Sequence, residues 1–339
     1  MLFRSSYKND AEIIEHIREH TEVFELDMQD HKDCLIRGRS VFEGELKQSG
    51  INIVHSHGLI PDMISVLYGK RFLQVSTIHS NFREDYAAEF GWTGKLIWAP
   101  LHLHFLRKID HCVCCSSSVC DALKHSISHC SYVRNGISPQ KSNLNVDEQE
   151  KAVIDRIVSR IPNNAYVFLF AGRMIDIKNP EWLVREFVSN RADDEYLIMA
   201  GEGPLFEVSS KEGDDHVIFP GFIKNIRYLY ELADVYVSAS SSEGLSISAI
   251  EAMEQGLGLF LSDIPSHREL IEISKDCYLG ELFRKQDFKM QLEQLRNNKG
   301  LLDRKEIRSI QIQYLSSTAM ANGYEEIYNK LSDLGTAVK

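Results

Sequence analysis

Short apolar runs alternate with segments of helical periodicity along most of the chain. Residues 2–3 and 23–26 predict short strands. Between them, residues 11–20 repeat apolar side chains at helical spacing through Ile13, Ile14 and Ile17. Residues 50–58 predict a buried strand with a polar tip. Residues 72–78 predict another that delivers His79, Ser80 and Asn81, and residues 111–115 a third that delivers Ser116 to Ser118. Successive strands with polar carboxyl ends are the pattern of a doubly wound ligand-binding domain.

The same rhythm resumes further on. Asn135-Gly136 marks a turn, residues 138–150 read as a polar linker, and a helix follows with Val153, Ile154, Ile157 and Val158 as its apolar side. Strands are predicted at 166–171, 196–200, 217–222, 235–237 and 257–261. A helix over 247–253, closed by Gly256, joins the last two into a strand–helix–strand unit and implies a parallel sheet. A terminal helix over 316–331 places Ala319, Tyr324, Ile327 and Tyr328 on one face. With 339 residues the chain is long enough for two domains. The divisions expected are 1–137, a linker and first helix at 138–160, a second domain at 161–315, and a terminal helix at 316–339.

Composition narrows the function classes. The chain is 43% hydrophobic and 26% charged, as in ordinary globular proteins, and its formal charge of −11 argues against nucleic acid as a partner. No apolar run approaches the ~20 residues of a membrane span, and the first residues lack the apolar core of a signal peptide. A cytoplasmic location is expected. Of seven cysteines, Cys112, Cys114, Cys115, Cys120 and Cys130 cluster near His111, His125 and His129. A zinc site is conceivable there, but paired C-x2-C knuckles are missing, and a buried strand using cysteine as a small apolar residue accounts for the pattern. Residues 92–108 combine apolar and basic groups without an acid. They read as a packed helix interrupted by Pro100 or as a surface for anionic membrane.

Two segments carry candidate chemistry. Arg173 and Lys178 lie five residues apart at a predicted strand-to-helix turn, where a guanidinium and an ammonium suit a diphosphate. The serine-rich loop 238–248 feeds a helix N-terminus, a favourable place for an anion. Glu243 and Glu251 bracket that region with seven residues between them. Ser248 and Glu251 also have capping-box spacing, in which the glutamate would close back on the serine backbone.

Taken together, the segments G-R-x4-K at 172–178, G-E-G-P at 201–204 and E-G-L-S-I-S-A-I-E-A-M at 243–253 resemble the family 4 retaining glycosyltransferases of GT-B architecture. So, in order, do the phrases VHSHG, STIHSNF and VCCSSSV, and the segment Arg134-Asn135-Gly136-Ile137. The resemblance implies two Rossmann-like doubly wound α/β domains facing a cleft. It implies transfer of a sugar from a nucleotide-diphosphate donor, UDP ahead of GDP, with retention at the anomeric carbon. The setting implied is surface polysaccharide or glycolipid synthesis, with a polyprenyl-diphosphate or other glycan acceptor and peripheral contact with the inner face of the membrane.

By the same resemblance Arg173 and Lys178 hold the diphosphate, Glu251 holds the ribose, and Glu243 and His79 orient the sugar. Gly221, Gly244, Leu245 and Ser246 line the donor. No Asp-x-Asp is present, so no divalent metal and no cofactor is expected. The chain departs from the family where Arg134 replaces a usual proline, where Leu245-Ser246 follow Gly244, and where Ser266-His267-Arg268 stands for a glycine-rich loop. The family normally begins with a strand and a Gly-Gly loop, and by the resemblance this chain is expected to begin at about the second strand, leaving the 1–137 domain incomplete at its start. That leaves open a non-catalytic paralogue that binds nucleotide or a partner transferase. A sugar-nucleotide epimerase of the same architecture is a further alternative, opposed by the presence of both motifs.

Overall fold

The computed structural model describes residues 2–4, 23–25, 52–139 and 148–337. The helix expected at 11–20 falls outside them. Strands β1 (Leu2–Arg4) and β2 (Val23–Glu25) pair in parallel. A separate parallel sheet contains β3 (Ile53–His57), β4 (Leu73–Ile78), β5 (His111–Cys114) and β6 (Cys130–Tyr132), in that order. The crossovers carry α1 (Leu59–Tyr68), α2 (Phe82–Thr93), α3 (Ala99–Leu106) and α4 (Ser117–Leu123). The three polar tips expected after these strands therefore stand side by side. β3, the outer strand of this sheet among the described residues, departs from expectation: it is only half-buried through most of its length.

After α5 (Glu148–Arg160) the chain builds a six-stranded parallel sheet. Its strands are β7 (Tyr166–Ala171), β8 (Glu195–Ala200), β9 (Val217–Gly221), β10 (Val235–Ser238), β11 (Gly258–Ser262) and β12 (Gly280–Phe283). Helices α6 (Pro180–Asn190), α7 (Phe206–Lys211), α8 (Arg227–Leu232), α9 (Ile247–Glu254) and α10 (Pro265–Ile271) connect them, and α11 (Phe288–Asn298) follows. The spatial order is β12-β11-β10-β7-β8-β9, so the winding reverses between β7 and β10. Ligand crevices in open parallel sheets form at such a reversal, beyond the strand carboxyl ends. β7 shows why both faces must be covered. Val167, Leu169 and Ala171 pack with Ile198, Ile250 and Met253 on one side, while Phe168 and Phe170 pack with Leu183, Val184 and Phe187 on the other. Near-continuous apolar strands are the sequence signature of such two-sided burial.

The chain then returns to the first sheet. An isolated bridge joins Ile137 to Ser316, between α12 (Arg304–Leu315) and α13 (Ser317–Ala337). Met320, Tyr324, Ile327, Tyr328 and Leu331 of α13 pack on Val75, Val113 and Val133, with Met320 rather than Ala319 joining the expected aromatic face. Cys112, Cys114 and Cys115 are buried in and just after β5, where burial pushes their thiols upward, that of Cys115 to about 12.

Pro100 does not interrupt a helix. It lies in the first turn of α3, where its missing N–H costs nothing. The break comes earlier, at Gly91, whose φ of 59° favours glycine, and a π-helical stretch over Gly94–Trp98 leads into α3. Packing is also less complete than a simple buried helix implies: Trp92 is 72%, Leu96 66% and Ile97 52% exposed. Among the described residues no helix is long and apolar enough to cross a membrane.

Candidate active site

The reversal between β7 and β10 brings the two motif loops together. The loop after β7 carries Arg173 and ends in a 3-10 turn, Asp176–Lys178. The loop after β10 carries Glu243. Ser241 donates its backbone N–H to the Ile177 carbonyl at 2.8 Å, and Asn179 Nδ2 donates to the Ala239 carbonyl at 2.9 Å, tying the loops side by side. Lys178 Nζ then forms a charge-assisted bond with Glu243 Oε1. Ser240 Oγ donates to the same oxygen at 2.7 Å. Arg173, by contrast, is exposed, and its guanidinium has no hydrogen-bonding partner among the described residues.

Behind Glu243 lies a polar layer. Ser262 Oγ donates to the Ser240 carbonyl at 2.5 Å, and the buried His267 places Nδ1 2.9 Å from the Ser262 carbonyl. Burial lowers the His267 pKa to about 4, so the ring is neutral and supports the serine loop as an N–H donor. The variant Ser266-His267-Arg268 segment is thereby built into the back wall of the site.

Helix α9 (Ile247–Glu254) corrects the capping expectation. Its N-cap is Ser246, whose hydroxyl accepts from the Ala249 N–H. Ser248 lies inside the helix, so Glu251 does not occupy the third helical position of a capping box. The Tyr230 hydroxyl, from α8 (Arg227–Leu232), is instead 3.0 Å from Glu251 Oε2 and 3.1 Å from the Ser248 carbonyl. Burial raises the Glu251 pKa, opposed by the Tyr230 hydrogen bond. Tyr230 is a neighbour that sequence reasoning did not find. It comes from a different element, and no spacing rule connects the two.

The first sheet supplies the facing wall. Gly244 is the point of closest approach: a Cβ there would lie 1.8 Å from the His79 carbonyl oxygen and 3.0 Å from Cys115 Sγ. Ser116 Oγ donates to the Gly244 carbonyl at 2.8 Å, and Asn135 Nδ2 reaches the Leu245 carbonyl at 3.5 Å. His79, Glu243, Gly244 and Leu245 are thus assembled from both sheets, with Leu245 buried as part of the packing. Ser246 is buried too, its hydroxyl committed to the helix cap. Gly221 ends β9 at φ 78°, two strands from the reversal, and a Cβ there would face Glu202 Oε1 at 3.7 Å.

His79 was expected; its partner was not. His57 Nδ1 lies 2.9 Å from His79 Nε2. Burial lowers both pKa values; proximity to His79 lowers that of His57 further, while the Asp62 carboxylate works against the shift at both rings. The signal in the sequence was the phrase His55-Ser56-His57, in which alternate residues share a strand face. A second link between the sheets was also unforeseen. Glu269, on α10 (Pro265–Ile271), accepts from the Ser117 and Ser118 N–H groups at 3.0 Å each and from Arg134 Nε at 2.8 Å. Burial alone would raise the Glu269 pKa, but these donors hold it below the usual carboxylate value. Arg134, at the position where the family has proline, therefore closes an ion pair between the two halves.

Comparison with known proteins follows this division. Residues 5–141 match the model described as Glycosyltransferase Family 4, and residues 165–298 match Glycosyl transferases group 1. The O-antigen biosynthesis glycosyltransferase WclY of Escherichia coli is 24% identical over 333 residues, covering 91% of this chain and 90% of WclY. A UDP-Gal:alpha-D-GlcNAc-diphosphoundecaprenol alpha-1,3-galactosyltransferase of the same organism is 23% identical over 259 residues, 70% of this chain and 64% of that enzyme. Among solved structures, Anabaena Alr3699/HepE in complex with UDP-glucose superposes with a TM-score of 0.71 at 12% identity, covering 94% of this chain and 88% of that one.

Proposed function

The chain belongs to the family 4/group 1 glycosyltransferases of GT-B fold, and from that premise we propose that it transfers a hexose from a UDP-sugar to a glycan acceptor with retention of anomeric configuration. The observation that carries this reading is the meeting of Glu243 with Lys178 at the sheet reversal, beside Gly244, which packs on the backbone carbonyl of His79. Opposite charges are thereby gathered where a nucleotide sugar would lie between the sheets.

In this reading the donor diphosphate takes the place of Glu243 as the partner of Lys178 and recruits the exposed Arg173. The two cations and the N–H groups at the start of α9 then stabilise the departing nucleotide diphosphate without a divalent metal. Glu243, released from Lys178 but still held by Ser240, accepts from the sugar hydroxyls. Glu251, backed by Tyr230, accepts from the ribose. His79 faces the sugar and acceptor from the other wall. UDP is the nucleotide we favour, since HepE was solved with UDP-glucose and the galactosyltransferase relative is named for UDP-Gal. WclY supports O-antigen or related polysaccharide synthesis as the setting, and the galactosyltransferase supports a polyprenyl-diphosphate acceptor.

Such an acceptor lies at a membrane. The exposed Phe90, Trp92, Leu96, Ile97 and Trp98, with Lys95 among them, form an apolar and basic surface that would rest on it. Flotation with anionic vesicles, lost in a Trp92→Ser/Leu96→Ser variant, is the expected behaviour.

Titration calorimetry with UDP and GDP tests the donor site. Micromolar binding of UDP, weakened at least tenfold (about 1.4 kcal/mol) by Arg173→Ala and by Glu251→Ala, is expected. A folded chain that binds neither nucleotide would overturn the proposal and favour a non-catalytic role. Retention is read from the anomeric configuration of the product by NMR.

A further inference from the structure

The face of the four-stranded sheet on which α13 packs carries an unusual run of rings that continues to the strand carboxyl ends. His55 and His57 share one face of β3, and the pairing register sets them beside Val75 and Thr77 of β4, with His79 two residues beyond Thr77. His55 is fixed at both nitrogens: Nδ1 lies 2.5 Å from the Tyr328 hydroxyl and Nε2 2.7 Å from Thr77 Oγ1, which is itself 2.7 Å from the Tyr324 hydroxyl. The His55 ring lies nearly parallel to that of His57, with centroids 4.7 Å apart and planes 16° apart. His57 then meets His79 through the 2.9 Å Nδ1···Nε2 contact, with planes 21° apart and centroids 5.1 Å apart. That separation is too long for face-to-face overlap and fits a hydrogen bond lying near both ring planes.

We infer that His57 is the positioning residue of His79: the bond between their ring nitrogens fixes the rotation and tautomer of His79 and leaves its Nδ1 as the nitrogen available to substrate. The inference rests on the reading of His79 as a cleft residue given above. A bond between two neutral imidazoles requires one N–H and one lone pair, so the tautomers of the two rings are locked together. Loss of the His57 nitrogen leaves His79 free to rotate and to exchange tautomers. His55, tied to the terminal helix through Tyr328, holds His57 from behind. A helix remote in sequence thereby sets the orientation of a ring in the cleft.

The test pairs His57→Phe, which keeps a ring but removes the nitrogen, with His57→Asn, whose side-chain amide sits close to where Nδ1 was. Nitrogen NMR of histidine-labelled protein should show one His79 tautomer in the parent chain, a mixture in His57→Phe and one again in His57→Asn. With UDP-glucose as the probe, release of UDP should fall at least tenfold in His57→Phe and recover to within about threefold in His57→Asn, while UDP affinity stays within twofold of the parent. An unchanged His79 tautomer in a folded His57→Phe protein would overturn the inference, as would an Asn variant no better than the Phe variant. His79→Ala separates the two levels. If it leaves UDP release unchanged, the role given to His79 above fails, while the tautomer measurement still decides whether His57 orients the ring.

Discussion

The two walls of the cleft solve different electrostatic problems. On the wall formed by the six-stranded sheet, Lys178 and Glu243 neutralise each other, and Ser240, Ser262 and His267 form layers behind them. On the wall formed by the four-stranded sheet, the site is made of neutral rings held by one another and by the terminal helix. A charged diphosphate needs fixed cations that are paired until it arrives, because an unpaired, partly buried charge is costly. Uncharged hydroxyls need oriented hydrogen-bonding groups, which neutral imidazoles supply. Under the proposed function, the difference assigns donor affinity and sugar orientation to separate side chains that can be perturbed separately.

The sharpest break is at Glu243 and Lys178. Lys178→Ala should weaken UDP binding at least tenfold and lower turnover about 100-fold, the scale seen when one transition-state charge contact is removed. Glu243→Gln should lower turnover similarly yet bind UDP as tightly as the parent or tighter, because Lys178 no longer has a competing carboxylate. Equal loss of UDP affinity in both variants would show that the pair acts as one unit rather than as competitors.

Gly244→Ala tests how the walls meet. Its Cβ would overlap the His79 carbonyl, so the sheets must separate or the loop must shift. Turnover should fall more than tenfold and stability by about 1–3 kcal/mol, with secondary structure by circular dichroism retained. An alanine variant with parental stability and turnover would show that this contact loosens freely.

Acid should weaken both walls. Burial lowers the folded pKa values of His55 and His267 to about 4, from the ordinary histidine value of 6.5. Each binds its proton less readily folded than unfolded. Their contribution is fully present above about pH 6.5 and is lost as pH falls toward about 4, worth up to about 3 kcal/mol for each ring. Urea titrations across that range should show the decline, and His55→Phe should reduce it.

The smallest effects distinguish a helix cap in the site from one outside it. Ser246 caps α9, and Asp303 caps α12 by accepting from the Lys305 and Glu306 N–H groups. Replacing either by alanine should cost about 1 kcal/mol of stability. Only Ser246→Ala should also weaken UDP binding, because only that cap orders the N-terminus facing the donor.

Much of the fold was legible because its strands are buried on both faces. The runs at 166–171, 196–200 and 235–237 had to be apolar throughout, and the loops after them stood out by contrast. Arg173, Lys178, Glu243 and Glu251 were visible for the same reason, as charged residues placed between apolar runs. The cap was misread because Ser246 and Ser248 are both good capping residues, and only backbone geometry shows where helical dihedrals begin. The exposure of Trp92, Leu96 and Ile97 was equally hidden, since composition cannot distinguish an apolar residue in the core from one at the surface.

By itself, then, the sequence determined the alternation of elements, the parallel sheets and the chemistry of the motif loops, all of which follow from local periodicity and residue type. Only the tertiary structure decided that Lys178 meets Glu243, that Tyr230 meets Glu251, that Glu269 ties Arg134 to α4, and that His57 meets His79. Those pairs join residues from different elements, from 21 to more than 100 positions apart. Their meeting depends on strand order, register and the approach of two sheets, none of which any short window of sequence contains.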